Sequence, residues 1–177
     1  MVRKILPPGA REGQDSFMEA LKEADLTPFL FEQFLLEEKD INRRDNHGRT
    51  KLIYVSQFQT ADYMIDALVQ HGADVNAADK DGNTALHHAV ESDLFNEGSL
   101  LALLRNNANP LAMNKKGLIP LKLAQKRVRK YYEGPIRLLE EATRKAQKER
   151  EDAIAHQIIW RVKYHLPALG SHLNERS

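Results

Sequence analysis

The chain has 177 residues and a formal net charge of +1, enough length for one elongated domain with a continuous core. It contains no cysteine, which removes disulfides and thiolate zinc sites and suits a reducing compartment. No segment approaches the roughly 18 uncharged apolar residues of a membrane span. The start, Met1-Val-Arg-Lys-Ile-Leu-Pro-Pro-Gly9, carries no long apolar run after its charges, which argues against a signal peptide.

Residues 1–13 read as a flexible N-terminus. Ser16-Phe-Met-Glu19 has the form of a capping box and predicts a helix through Ala24. Thr27-Pro28 reads as an N-cap followed by proline at the first helical position. The helix it opens carries Phe31, Phe34, Leu35 and Leu36 and leads into Asp40-Ile41-Asn42, which matches Asp74-Val75-Asn76 further on. A repeat then becomes visible. Asp45-Asn-His-Gly48-Arg-Thr50-Lys-Leu52 aligns with Asp79-Lys-Asp-Gly82-Asn-Thr84-Ala-Leu86 and with Asn114-Lys-Lys-Gly117-Leu-Ile119-Pro-Leu121, with glycine spacings of 34 and 35. Gly48, Gly82 and Gly117 fall where a tight turn needs a positive φ. Thr50 and Thr84 are placed to cap the helices after those turns, their hydroxyls accepting from first-turn amides.

The run Gly72-Ala-Asp-Val-Asn76, followed by Asp79, Gly82, Thr84, Leu86, His87 and Ala89, resembles the ankyrin repeat, whose period is about 33 residues. The resemblance covers roughly residues 14–145. It implies an all-α solenoid of about four stacked helix-turn-helix units with β-hairpin-like turns and a long C-terminal helix. The units would be a degenerate capping repeat at 14–41, repeats at 42–75 and 76–110, and a C-terminal ankyrin-like repeat at 111–146. An extension of the terminal helix would occupy 147–166 and a flexible tail 167–177. By the resemblance His87 braces its turn, and His88 is expected as a solvated neighbour. The outer units depart from the pattern: Ile53 and Lys122 stand at the histidine position, Ile119 at a threonine position, and Leu111 where Asn42 and Asn76 stand in the others. Terminal repeats lack one neighbour, so atypical residues are expected there.

Gly134-Pro135 opens a helical pattern free of further proline or glycine to Leu166. Ile136, Leu139, Ala142 and Ala146 have the spacing of a repeat's second helix. The nearly all-charged Arg144 to Asp152 follows. An apolar stripe then returns at Ile154, Ile158 and Val162, with Ile159, Trp160 and Tyr164 beside it. This stripe needs a surface: the end of the solenoid after a fold-back, the same helix in a second copy, or another protein.

Charge is unevenly spread. Glu12 to Asp45 holds ten acidic and four basic residues, whereas Gly98 to Tyr132 holds eight basic and no acidic ones. Such a gradient speeds encounter with an acidic partner. Within it, Lys126-Arg-Val-Arg-Lys130 is a weak signal for nuclear import or nucleic acid, since only Tyr131 and Tyr132 lie beside it. The seven histidines make no metal-ligating spacing, and no phosphate loop or nucleophile motif is present. The expectation is a non-enzymatic chain with no cofactor and no metal.

Ankyrin proteins generally bind other proteins on a concave face of turn tips and first-helix surfaces. By the resemblance that face comprises Asn46, His47, Arg49, Gln57 and Phe58 in one unit and Lys80, Asp81, Asn83, Glu91 and Ser92 in the next. Lys115, Lys116, Lys126 and Arg127 follow in the last. Phe58 is either an anchor or tucked against the inter-helix insertion, and both readings stand. The expected partner is a protein, with an acidic surface favoured at the basic end. Alternatives are a secreted effector of an intracellular bacterium, binding of nucleic acid or anionic lipid through 105–130, and an oligomeric scaffold joined by the terminal helix. Cytoplasmic placement is expected, in a host cytosol for an effector, with the nucleus as a further possibility.

Overall fold

In the computed structural model, residues 28–58, 62–92, 97–126 and 133–165 are described. Among them are seven helices: α1 Pro28–Glu37, α2 Lys51–Val55, α3 Asp62–Gln70, α4 Ala85–Glu91, α5 Glu97–Arg105, α6 Pro120–Lys126 and α7 Glu133–His165. Pro28 opens α1, where its missing N–H is lost at no cost. The capping box at Ser16 and the N-cap Thr27 lie outside the described residues.

The helices form two parallel stacks. The short helices α2, α4 and α6 pack in sequence, and α1, α3, α5 and α7 pack in sequence beside them. Phe31 of α1 meets Tyr63 of α3 edge-on, with ring centroids 6.2 Å apart. One core runs through the whole stack, with Leu52, Ile65, Leu68, Leu86, Leu100, Leu103 and Leu139 all essentially inaccessible to water. Full burial of each such side chain contributes about 2 kcal/mol.

The second helix of a unit stops when the next residues turn left-handed. After α3 that residue is Gly72, at φ 89°, and after α5 it is Asn107, at φ 62°. In both places the backbone closes the same way: Ala73 N–H donates to Leu68 O at 2.9 Å, and Ala108 N–H to Leu103 O at 3.0 Å. Gly72 and Asn107 each lie ten residues after the start of their helix. Ten residues into α7 stands Thr143, a buried β-branched residue poorly suited to positive φ. The helix therefore runs on for 33 residues, about 50 Å. Its first part is anchored through Pro135, Leu139 and Thr143, while every residue from 147 to 163 is exposed.

One expectation about this helix is corrected. The apolar stripe does not fold back over the last unit: Ile154, Ile158, Ile159, Trp160 and Val162 are all about half exposed or more. Trp160 lies off the stripe. At about 100° per residue it lies roughly 160° around the helix from Ile158, so the two present different faces.

Candidate functional site

Three fingers project from the stack, and each is tied by the same knot. In the first, Asp45 N–H donates to Arg49 O at 3.0 Å, and one Asp45 carboxylate oxygen accepts from the amides of His47 and Arg49, both at 2.8 Å. Asp79 repeats this with Asp81 and Asn83, both at 2.9 Å, and Asn114 with Lys116 and Leu118, both at 3.0 Å. Gly48, Gly82 and Gly117 take φ of 77°, 79° and 68° at the tips.

Successive fingers join edge to edge. Lys80 N–H donates to His47 O and Lys115 N–H to Asp81 O, both at 2.9 Å. A Cβ on Gly48 would sit 3.0 Å from the Lys80 amide nitrogen, and one on Gly82 would sit 3.0 Å from that of Lys115. These two glycines thus meet two demands, a left-handed turn and a close neighbour. Gly117 meets only the first, because no described atom comes within 4 Å of its place.

Asparagines staple the units below the fingers. Asn42 donates to Gly72 O at 3.0 Å and accepts from Asp74 N–H at 2.8 Å. Asn76 does the same with Asn107 O at 3.3 Å and Asn109 N–H at 2.7 Å. At the corresponding point of the last unit α7 continues as helix, so no such loop meets Leu111.

The helix caps differ between units. Thr50 accepts from Ile53 N–H at 3.4 Å. At Thr84 the bonds run to His87, whose Nδ1 accepts the Thr84 backbone N–H at 3.2 Å and lies 2.9 Å from the Thr84 hydroxyl. With Nδ1 accepting, the proton sits on Nε2, which donates to Leu118 O at 3.0 Å. Burial holds the His87 pKa below the usual histidine value, consistent with a neutral ring that spans two units.

His88 is not a solvated neighbour. It is buried, and its Nε2 lies 2.7 Å from Asp79 Oδ2. One unit earlier Tyr54 fills the same place and donates its hydroxyl to Asp45, while the Arg49 guanidinium lies 5.8 Å above its ring. Burial pushes the pKa of Asp79 up. Bonds from His88 and from the amides of Asn83 and Asp81 outweigh that, and the net shift is downward. Asp45 is likewise held low against its burial by Tyr54 and the Arg49 and His47 amides. The repeating aspartate was in the aligned motif, but its partner four residues into the helix changes from Tyr54 to His88, which hid the pair in the sequence.

The residues assigned to the concave face divide by what they touch. Asn46, His47, Lys80, Asp81, Glu91, Lys115, Lys116 and Lys126 are exposed. Gln57, Phe58 and Ser92 instead join units: Ser92 Oγ donates to Gln57 O at 2.9 Å, Ser99 Oγ to Phe58 O at 3.1 Å, and the Phe58 ring packs against the core. Of the two readings of Phe58, the tucked one describes its place. Asn83 is half-buried and accepts from Asn114 Nδ2 at 2.9 Å. Arg127 lies outside the described residues. Between the second and third fingers lies a hollow of about 220 Å³, lined by Asp79, Asp81, His88 and Glu91 on one side and Asn114, Lys115 and Lys116 on the other, with Arg49 and Asn83. Arg105 leaves the basic cluster, since its guanidinium pairs with Asp66, to which Asn106 also donates. Lys115, Lys116, Lys122 and Lys126 remain as its exposed described members.

Among the described residues, no group of three or more histidine, aspartate or glutamate side chains could hold a metal ion. None of the described helices is long and apolar enough to cross a membrane. A stack of helix pairs with projecting fingers is the architecture of a repeat solenoid, in which each unit contacts only its neighbours. A family model of ankyrin repeats in three copies matches residues 17–114. The chain belongs to the ankyrin-repeat family. The third finger, α6 and the start of α7 complete a further unit beyond that match.

A putative ankyrin repeat protein of Acanthamoeba polyphaga mimivirus is 40% identical over 78 residues, 44% of this chain and 18% of that protein. Human ankyrin repeat and SOCS box protein 6 is 36% identical over 95 residues, 51% of this chain and 23% of that one. Human BCL-6 corepressor-like protein 1 is 34% identical over 88 residues, 50% of this chain and 5% of that one. The chain thus matches less than a quarter of the length of each of these relatives. Ankyrin repeats are generally protein–protein interaction modules.

Proposed function

We propose that this chain is a non-enzymatic protein-recognition module that holds its partner on the concave face, between the second and third fingers. The observation that carries this reading is the polar hollow there, whose lining brings Asp81 and Glu91 together with Lys115 and Lys116. Fixed charges of both signs on a rigid frame select a partner by complementarity and set its register. Lys122 and Lys126, on the helix that follows the third finger, are exposed and tilt the preference toward an acidic partner surface. Action inside a cell, whether in its own cytoplasm or as an effector in a host, agrees with this mode and with the absence of cysteine.

A second reading rests on a different observation, the exposed apolar side chains Ile154, Ile158, Ile159 and Val162 of α7. In that reading the terminal helix is the interaction surface, to another protein or to a second copy. The test is capture from a cell lysate with three proteins: wild type, Lys115→Glu with Lys116→Glu, and Ile158→Ala with Val162→Ala. All four substituted side chains are exposed, so the fold is expected to persist, and far-ultraviolet circular dichroism checks that. Loss of a captured protein with the lysine variant alone supports the concave face. Loss with the helix variant alone moves recognition to α7, and retention of every captured protein by both refutes both sites.

A further inference from the structure

The finger ladder has an open end. His47 O and Asp81 O each accept an amide from the next finger, both at 2.9 Å. The residue in register with them is Lys116, which immediately precedes Gly117 as His47 precedes Gly48 and Asp81 precedes Gly82. Among the described residues no amide reaches the Lys116 carbonyl. No described atom occupies over Gly117 the slot that Lys80 and Lys115 fill over the first two glycines. A backbone carbonyl left at the end of such a ladder can accept an amide from another extended chain.

Charge decides what suits the slot. Lys115 and Lys116 flank it and are exposed, as are Lys122 and Lys126 on the helix behind the finger. The sequence from Gly98 to Tyr132 carries no acidic residue; the acids that share a hollow with these lysines, Asp79, Asp81 and Glu91, belong to the preceding unit. A further complete repeat, from a second copy for instance, would also have to cover the helices of the last unit. There α7 presents Arg137, Glu141, Arg144 and Lys145 to solvent, a polar outer face of the kind that closes a solenoid. The helix layer is therefore capped while the finger layer is not, which favours a lone extended segment over another helix pair.

We propose that the open slot over Gly117 takes an extended acidic segment of the partner protein, whose backbone N–H bonds the Lys116 carbonyl as the next finger would. Successive carboxylates two residues apart lie on one side of such a segment and face Lys115 and Lys116. This rests on the reading of the concave face as a recognition surface and names the chemistry of what it recognises. It also makes the partner's backbone, and not its charge alone, part of the recognition.

The probe is a fluorescein-labelled octapeptide of alternating glutamate and valine, titrated with the full chain by fluorescence anisotropy. Two further peptides carry N-methyl groups on alternate backbone amides, one set on each edge of the extended chain. The expected result is that the parent peptide binds, that one N-methylated peptide binds at least tenfold more weakly, and that the other binds like the parent. Because this arm uses the unaltered protein, no folding defect can imitate the loss. Lys115→Glu with Lys116→Glu is expected to weaken the parent by more than tenfold. Equal binding of all three peptides, with loss in the lysine variant, overturns edge pairing and leaves the basic concave surface standing. Failure of the parent peptide to bind, or binding unchanged in the lysine variant, overturns the inference outright; capture from lysate then decides the broader reading separately.

Discussion

The unit at residues 76–110 and the last unit share one plan and differ in how they end. In residues 76–110, Asn76 staples the following loop, His87 reaches across to Leu118 O, Gly82 receives the next finger and Asn107 stops α5. In the last unit Leu111, Lys122 and Thr143 stand where Asn76, His87 and Asn107 stand, and no described atom comes within 4 Å of a Cβ placed on Gly117. Each residue that reaches forward to a neighbour has been replaced where the described stack has no neighbour to reach. Ankyrin sequence features are mostly contacts between units, so their loss marks an end and not a failure to fold.

The largest difference between the two units is expected at their glycines. Gly82→Ala places a Cβ at positive φ and 3.0 Å from the Lys115 amide nitrogen, and is expected to cost about 3 kcal/mol. Gly117→Ala has only the conformational cost, about 1 kcal/mol. Urea denaturation of both variants measures the difference, and equal losses would deny that the neighbouring finger matters.

Next in size is His87→Ala, which leaves the buried Thr84 amide without its acceptor and the Leu118 carbonyl with the Asn114 amide alone, and is expected to cost about 2 kcal/mol. The reciprocal change, Lys122→His in the last unit, is expected to stabilise by no more than a few tenths of a kcal/mol, since an exposed substitution there gains no such partners. Thermal denaturation separates the two.

Acidity sharpens the contrast further. Asp45 and Asp79 have folded pKa values held below the ordinary carboxylate value. The stability they confer is therefore full above about pH 4 and is lost as pH falls through their lowered folded values. His87, also lowered, confers stability that is full above about pH 6.5 and declines as pH falls through its folded value. Both windows make the protein weaker in acid. Asn114 carries no charge, so the third knot has no such dependence. Hydrogen exchange followed by NMR is expected to show the amides of His47, Arg49, Asp81 and Asn83 losing protection in acid before those of Lys116 and Leu118.

The smallest expected effect is at the helix stop. Thr143→Gly supplies the left-handed residue that α7 lacks at a cost of about 0.5 kcal/mol in helix propensity. The expected outcome is a drop in helical circular dichroism from residues beyond 143, with the melting of the stack nearly unchanged.

Much of this architecture was legible because the motif repeats at a near-constant interval, so the glycines, caps and apolar positions could be aligned without knowing any contact. The length of α7 was legible from the absence of proline and glycine, but its cause was not. Thr143 is informative only once Gly72 and Asn107 are known to be left-handed stops. The concave residues were placed by position alone, and position does not reveal which side chains the neighbouring unit consumes. Ser92 and Asn83 are taken by bonds across units, Phe58 by the core, and Arg105 by Asp66. The aspartate pairs with Tyr54 and His88 stayed hidden because two chemically different side chains do one job.

The most direct measurement is hydrogen exchange across the whole chain at neutral pH, read by mass spectrometry. Protection is expected to peak in residues 76–110, where both neighbours are present, to fall through 111–146, and to be lowest for 147–165, whose described side chains are exposed. Protection of 147–165 equal to that of α4 would contradict the account, since it would mean that the terminal helix is covered and that the last unit does not end the stack.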